Sequence, residues 1–493
     1  MNTKLLIDGK LVETKEKKPV INPSNLELIT EVCVASASEL DAAIAAARKA
    51  FDFGPWPKLS LAERKKYIQK IAQGILDKAG ELAELETLNT GKPIKESTFM
   101  DIPSSARSFE YLANVVENYL AEDSVVLEAQ AESQLLREPL GVVAAIVPWN
   151  YPLLIASWKL GSALAAGNTV ILKPSSLTPL TVLELGQIII DAGLPAGVVN
   201  IINGSGESIG KSLCQDNRID MLSFTGSNEV GAQILEYSAK HVKKLTMELG
   251  GKSAAIVLED CDIGVAVNSC LSAIFLNQGQ MCTAMSRILV NDKIYDKFVK
   301  EFVRKASQIK LGPGLDHETQ MGPLISISQR NRVISYVEEA IKEGAKLACG
   351  GKIPVSPELK NGFFFEPTVF VDVTVKMRIF KEEVFGPVVT ISKFSSQEEA
   401  VLFANDSKYG LAASIWSKDI SSAKLLAKEI NTGTIWINTY GMFYNELPYG
   451  GFKQSGFGKE LGREGFLEYT RLKNILIDQT QDGKPLVNYW YGF

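Results

Sequence analysis

The sequence predicts an α/β protein of two bodies, each organised on a largely parallel sheet covered by helices. Three observations predict it. A chain of 493 residues is too long for one core, since single cores stop growing near about 250 to 300 residues. Between Val142 and Glu248 short, near-continuous apolar runs alternate with amphipathic stretches, the pattern of strands buried on both faces. The alternation restarts after Gly250-Gly251. Hydrophobic residues at 46%, charged residues at 22% and 39 Gly against 20 Pro fit a soluble chain with many strand-to-helix turns.

In chain order, Asp8-Gly9 lies between apolar residues and marks a tight hairpin; the same start has no apolar core of a signal peptide. Lys15-Glu16-Lys17-Lys18 beside Pro19 reads as a solvated loop. Residues 38–51 and 61–88 carry helical periodicity. Then come strand 142–147, helix 153–166, strand 169–172, helix 180–192, strand 198–202, helix 207–215, strand 221–224, helix 229–239 and strand 244–248. This is the usual dinucleotide-binding arrangement. The second body contributes apolar runs 254–258, 287–290, 388–394, 412–416 and 434–438. The tail Leu486-Val487-Asn488-Tyr489-Trp490-Tyr491 is aromatic enough to expect docking on a partner subunit.

A net charge of -5 argues against a nucleic-acid footprint. Residues 153–172, the longest apolar stretch, are interrupted by Lys159 and Asn168, which argues against a membrane span. The six cysteines, Cys33, Cys214, Cys261, Cys270, Cys282 and Cys349, form no CxxC pair, so free thiols in a reducing cytoplasm are expected. No metal site is expected.

Cys282 stands in Asn277-Gln278-Gly279-Gln280-Met281-Cys282-Thr283, 34 residues after Glu248 of Met247-Glu248-Leu249-Gly250-Gly251-Lys252. The chain has two histidines, His241 and His317, neither in a Cys-His motif. If Cys282 is a nucleophile, its base is a carboxylate. Gly204-Ser205-Gly206-Glu207-Ser208-Ile209-Gly210 has glycines at G-x-G-x-x-x-G, off the Rossmann spacing. In Phe224-Thr225-Gly226-Ser227-Asn228-Glu229-Val230-Gly231 a strand ends and a helix starts; Ser227 is either a plain N-cap or part of a pyrophosphate site.

With Pro148-Trp149-Asn150-Tyr151-Pro152, Leu172-Lys173-Pro174-Ser175, Phe224-Thr225-Gly226-Ser227, Glu248-Leu249-Gly250-Gly251-Lys252, Gly279-Gln280-Met281-Cys282, Glu383-Val384-Phe385-Gly386-Pro387 and Ser455-Gly456-Phe457-Gly458-Lys459-Glu460 in this order, the chain resembles the aldehyde dehydrogenase superfamily nearly end to end. The resemblance implies a modified Rossmann cofactor domain (residues 1–121 and 142–250), an α/β catalytic domain (251–459) and a small oligomerisation flap (122–141 and 460–493). It implies a homodimer or homotetramer.

The resemblance also implies roles. Cys282 attacks the aldehyde carbonyl, the Asn150 side chain and the Cys282 N–H hold the oxyanion, and Glu248 activates water against the thioester. Lys159 and Glu460 match positions that handle protons, although Lys159 also reads as a solvated helix charge. For NAD and NADP the implied contacts are Ile146, Val147, Pro148, Trp149, Lys173, Ser175, Ser176, Gly206, Gly210, Phe224, Gly226, Ser227, Val230, Leu249, Gly250, Glu383 and Phe385. NADP is included because Ser176 stands where strictly NAD-dependent relatives carry Glu, which removes repulsion against a 2′-phosphate.

Around Tyr151 and Trp158 the chain most resembles betaine aldehyde and aminoaldehyde dehydrogenases. Tyr151, Trp158, Met281, Thr283, Phe443 and Tyr449 are the expected substrate wall. Tyr449 and Leu276 replace two tryptophans of those enzymes. Phe443 and Tyr444 would suit bulky apolar aldehydes, retinal-like ones included, and Trp158 is equally readable as core. A CoA-acylating semialdehyde dehydrogenase is disfavoured by the retained Glu248, and a catalytically silent relative by intact Cys282, Glu248 and Asn150.

Overall fold

The computed structural model describes residues 1–120, 123–127 and 131–480; the aromatic tail of the sequence lies outside them. Five parallel strands, Val142–Ile146, Thr169–Lys173, Val199–Ile201, Met221–Thr225 and Lys244–Glu248, form the centre of the first sheet. Their spatial order is third, second, first, fourth, fifth. The direction of winding reverses between the first and fourth strands, so a crevice opens beyond their carboxyl ends, where ligands of such sheets bind. The covering helices include Pro152–Ala166, Leu180–Asp191 and Asn228–Ser238.

The expected hairpin extends one edge. Leu5–Ile7 and Lys10–Val12 pair across Asp8 and Gly9, both with positive φ (49° and 74°), as a type I′ turn requires. At the other edge Gly456–Phe457, which the sequence reading placed with the second body, pairs with Met247 and Glu248. The strand that ends in Glu248 is thus held by a segment from far along the chain.

The second sheet runs Lys346–Cys349, Thr368–Val371, Val388–Phe394, Arg287–Asn291, Ala254–Val257, Ala412–Trp416, Thr434–Ile437, with only its first strand antiparallel. The five runs legible in the sequence are all present. Lys346–Cys349 and Thr368–Val371 are four residues each, too short to show a period of their own. A third sheet joins Asp123–Leu127, Ala131–Pro139 and Thr470–Asp478. Its outer strand exposes Leu472, Ile475, Leu476 and Ile477.

Other local differences have physical causes. The expected helix over 61–88 is two helices, Leu61–Asp77 and Ala79–Thr90, separated at Lys78. Lys17 and Lys18 do not lie in a loop: they open the strand Lys17–Ile21, which pairs with Leu28–Cys33 and leaves the lysines exposed. The helix Ile102–Tyr119, preceded by a π-turn over Ser97–Asp101, has a buried stripe from Ile102 to Val116. Ser36 and Ser60 start their helices as capping boxes with Glu39 and Glu63, which satisfies end N–H groups reciprocally. Among the described residues no helix is long and apolar enough to cross a membrane.

Candidate active site

Between the helix Ile263–Phe275 and Cys282 the backbone passes through three left-handed residues, Asn277, Gln278 and Gly279 (φ 45°, 58° and 70°). Two are not glycine, and each costs on the order of 1 to 3 kcal/mol unless its surroundings hold it. Buried groups do so. Asn277 donates from its main chain to Glu96 Oε2 (3.0 Å) and from its side chain to the Asn150 carbonyl (3.1 Å), and Ile325 N–H donates to Gln280 Oε1 (3.0 Å). The turn therefore presents Cys282 in a fixed place.

Asn150 follows the end of the first central strand and is 4% exposed. Its Nδ2 donates to the Gln280 carbonyl at 2.8 Å. A carboxamide nitrogen carries two hydrogens, so one is left uncommitted by this bond. The Asn150 carbonyl also accepts from Lys92 Nζ at 2.9 Å, and that fully buried ammonium pairs with Asp101.

Glu248 ends its strand 3% exposed, with neither carboxylate oxygen hydrogen-bonded. Burial, reinforced by nearby Glu460, pushes its carboxyl well above the usual range. Such a group takes up a proton readily, as a base for water must. Two glycines let these parts approach. A Cβ at Gly251 would lie 2.3 Å from the Cys282 carbonyl, and one at Gly450 would lie 2.6 Å from Glu248 Oε1. Burial raises the Cys282 thiol to about 11, against the opposing effect of the Tyr449 hydroxyl, 3.1 Å from its sulfur.

Lys159 is fully buried, which excludes the solvated-charge reading. It pairs with Glu460 and donates to Ser223 Oγ at 2.8 Å; Thr246 donates to Ser223 Oγ, and Tyr469 Oη lies 3.0 Å from it. The Tyr449 and Glu460 main chains exchange two 2.7 Å hydrogen bonds, which ties this network to the ring beside Cys282.

Cys282, Glu248 and Glu460 line one cavity of about 690 Å³ with Tyr151, Trp158, Met281, Thr283, Phe443 and Tyr449. All six expected substrate-wall residues are present. Phe443 and Tyr449 (5.3 Å), Trp158 and Tyr449 (5.8 Å) and Trp158 and Phe443 (6.2 Å) pack with tilted or edge-to-face rings. Lys92 Nζ sits 4.0 Å from the Tyr151 ring centre, so one face of that ring already has a cation. Tyr440 joins the wall with its hydroxyl 3.3 Å from Thr283 Oγ1, and Trp436 supports it at 5.3 Å between rings. The wall also includes Ser104, Arg107 and Ser108 of the Ile102–Tyr119 helix.

The cofactor residues named from the sequence divide into those with free chemistry and those whose side chains are committed to packing. Ile146, Val147 and Phe224 are core, which leaves only their main chain to face a ligand. Trp149 and Phe385 stack edge to face at 5.2 Å. Lys173 is buried, its ammonium lowered to about 8 by burial and by Lys18, and donates to the Pro174 carbonyl. Ser175 Oγ accepts from Leu177 N–H, while Ser176 is half-buried in the same turn. Gly206 and Gly210 face open space. Ser227 Oγ accepts from Val230 N–H, so it is an N-cap; Val230 itself is exposed. Gly226 N–H donates to the Glu248 carbonyl, Leu249 N–H to that of Ser455, and Gly250 N–H to Asn228 Oδ1. Glu383 accepts from Gly251 N–H at 3.0 Å, and burial raises it to about 7. Two strand ends, an 11-residue helix start, a buried lysine and a carboxylate around one crevice fit a dinucleotide: N–H donors for phosphates, charged side chains for ribose hydroxyls.

Lys92, Asn277, Trp436, Tyr440 and Arg107 were not singled out from the sequence. For Tyr440 the signal was its place three residues before Phe443. For Lys92 there was none, because a lysine after Gly91 reads as solvated.

The fold and site define an oxidoreductase of the α/β class with a cysteine nucleophile. The sequence profile of the Aldehyde dehydrogenase family matches residues 11–475, and the chain belongs to that family. It is 46% identical over 493 residues to betaine aldehyde dehydrogenase of Bacillus subtilis (strain 168), covering 100% of each chain. It is 39% identical over 482 residues to the chloroplastic betaine aldehyde dehydrogenase of Beta vulgaris, covering 96% of each. A solved betaine aldehyde dehydrogenase of Staphylococcus aureus in complex with NAD+ superposes with a TM-score of 0.96 at 41% identity, over 99% of this chain and 97% of that one.

Proposed function

We propose that the protein oxidises an aldehyde to a carboxylic acid, with NAD+ as hydride acceptor and NADP+ as an accepted alternative. The observation that carries the reading is that Cys282 and Glu248 share one cavity wall, beside the strand-end crevice that fits a dinucleotide. In this reading Cys282 Sγ adds to the aldehyde carbon, and the Asn150 amide hydrogen left free by Gln280 meets the developing oxyanion. One such donor is worth about 2.7 to 4 kcal/mol. The bound nicotinamide supplies a hydride acceptor. Trp149, Phe385 and Glu383 orient its end of the crevice, while Lys173 and the helix N-terminus at Ser227 meet the adenosine end. Glu248 then takes a proton from water attacking the thioester, and the acid is released.

Betaine aldehyde or an ω-aminoaldehyde is the first substrate reading, supported by the full-length relatives and by the ring faces of Trp158 and Tyr449. Each face holds a cation with about 0.5 to 2 kcal/mol. A second reading, bulky apolar aldehydes, is favoured by the rings themselves, which pack on one another as a wall. The wall carboxylates Asp101 and Glu460 are already paired with lysines. The test is kcat/KM for betaine aldehyde, 4-aminobutyraldehyde, a long alkanal and retinal, with NAD+ and NADP+, in the wild type and Cys282→Ala. Aldehyde-dependent NADH formation lost in Cys282→Ala supports the mechanism; full turnover in that variant ends it.

A further inference from the structure

We infer that Tyr449 is a catalytic residue whose hydroxyl donates to the Cys282 thiolate and eases ionisation of the nucleophile, beyond its place in the substrate wall. The inference rests on Cys282 being the nucleophile.

The geometry carries it. Tyr449 Oη lies 3.1 Å from Cys282 Sγ, well inside hydrogen-bond range for sulfur. In the thiol state either atom can donate. Once the sulfur has lost its proton it can only accept, and the phenol is then the donor. The ring is locked from three sides: Trp158 at 5.8 Å, Phe443 at 5.3 Å, and the paired main-chain bonds between Tyr449 and Glu460. Tyr449 is 6% exposed, and burial holds its phenol well above the usual range, so the proton stays on oxygen and the group remains a donor.

The surroundings give this donor unusual weight. The titratable groups facing the sulfur are the carboxyls Glu248 and Glu383 and the phenols Tyr151, Tyr440 and Tyr449. The carboxyls oppose a negative sulfur. No histidine and no lysine pairs with it among the described residues, and the Thr283 main-chain N–H adds the other favourable hydrogen bond. Ionisation breaks the S–H bond, leaves the electron pair on sulfur and passes the proton to solvent water; the Tyr449 proton is shared and not transferred. On attack the same sulfur becomes a neutral thioether, and the hydroxyl is released from it.

Alkylation of Cys282 by iodoacetamide, followed across pH in the intact protein and mapped by peptide mass spectrometry, tests this in the wild type, Tyr449→Phe and Cys282→Ala. Only the thiolate reacts. Tyr449→Phe keeps the ring and is expected to move the midpoint up by about one pH unit, with alkylation about tenfold slower at neutral pH and equal to wild type above both midpoints. The pH profile of kcat/KM should shift by the same amount, with NAD+ affinity unchanged. Superimposable alkylation and kcat/KM profiles, or a change confined to the aldehyde KM, would overturn the inference. Absence of wild-type alkylation at Cys282 would overturn the nucleophile assignment and this inference with it.

Discussion

The buried ammonium of Lys92 donates a 2.9 Å hydrogen bond to the main-chain carbonyl of Asn150, the residue whose side chain donates to the Gln280 carbonyl two residues before Cys282. The same ammonium pairs with Asp101 and covers a face of Tyr151. It fixes both Asn150, the proposed oxyanion donor, and the next residue, Tyr151, of the cavity wall. Lys92→Met should destabilise the fold by about 3 to 5 kcal/mol, since Asp101 is left as an unpaired buried charge. Lys92→Met/Asp101→Asn should recover stability in thermal unfolding while kcat stays down. Recovery of kcat together with stability would show that Lys92 does no positioning.

Asn150→Ala removes the free amide hydrogen. Stopped-flow measurement of hydride transfer should show a loss of about a hundredfold to a thousandfold, with NAD+ affinity retained.

Glu248 has two unbonded carboxylate oxygens in a 3% exposed position. Glu248→Gln is close in volume and cannot accept a proton. Rapid mixing of that variant with aldehyde and NAD+ should give a burst of about one NADH per active site, then a steady state slower by about a hundredfold or more. A linear time course without a burst would show that Glu248 acts before hydride transfer.

Ser176 stands in the turn beside Lys173, whose ammonium is lowered by burial and by the like charge of Lys18; on the dual-cofactor proposal this positive charge attracts a 2′-phosphate. Ser176→Glu should lower kcat/KM for NADP+ by about tenfold or more through like-charge repulsion, with little change for NAD+. Because the Lys173 ammonium is lowered to about 8, the KM for NADP+ should rise above that pH as the positive charge is lost. A wild-type preference for NAD+ above about a thousandfold would overturn the dual-cofactor reading.

Glu96, which holds the Asn277 turn, is raised by burial to about 8. The folded state therefore keeps a proton that the unfolded chain gives up near its ordinary carboxyl value. Its contribution is present in full below that value and is lost as pH rises through about 8. Glu96→Gln keeps an oxygen acceptor for Asn277 and removes the titration. The Tm of the variant relative to wild type should climb between acidic pH and pH about 8 and level off above it; a pH-independent difference would show that Glu96 keeps an ordinary carboxyl.

Much of this molecule was legible before folding. Strands buried on both faces have no polar period to hide them, so all five central strands of the first sheet and five of the second could be read from apolar runs. Cys282, Glu248 and Asn150 stood in short motifs, and the glycines of the first two, Gly279 and Gly251, prove to be close backbone approaches. Short strands such as Lys346–Cys349 carried too weak a signal, whereas the Ile102–Tyr119 helix carried its apolar stripe in the sequence and was not read from it.

What the sequence alone determined is the chemistry at hand: a soft nucleophile, a carboxylate with no histidine to compete with it, and the alternation of two parallel sheets. The tertiary structure decided which groups act on one another. Lys92 meets Asn150 across 58 positions, Tyr449 meets Cys282 across 167, and Lys159 meets Glu460 across 301. Local periodicity is a property of neighbours along the chain, whereas the pairing of buried charges and donors depends on which surfaces the two sheets bring together. A lysine reads as solvated until the fold encloses it with a carboxylate, and only then does burial make its hydrogen bonds obligatory.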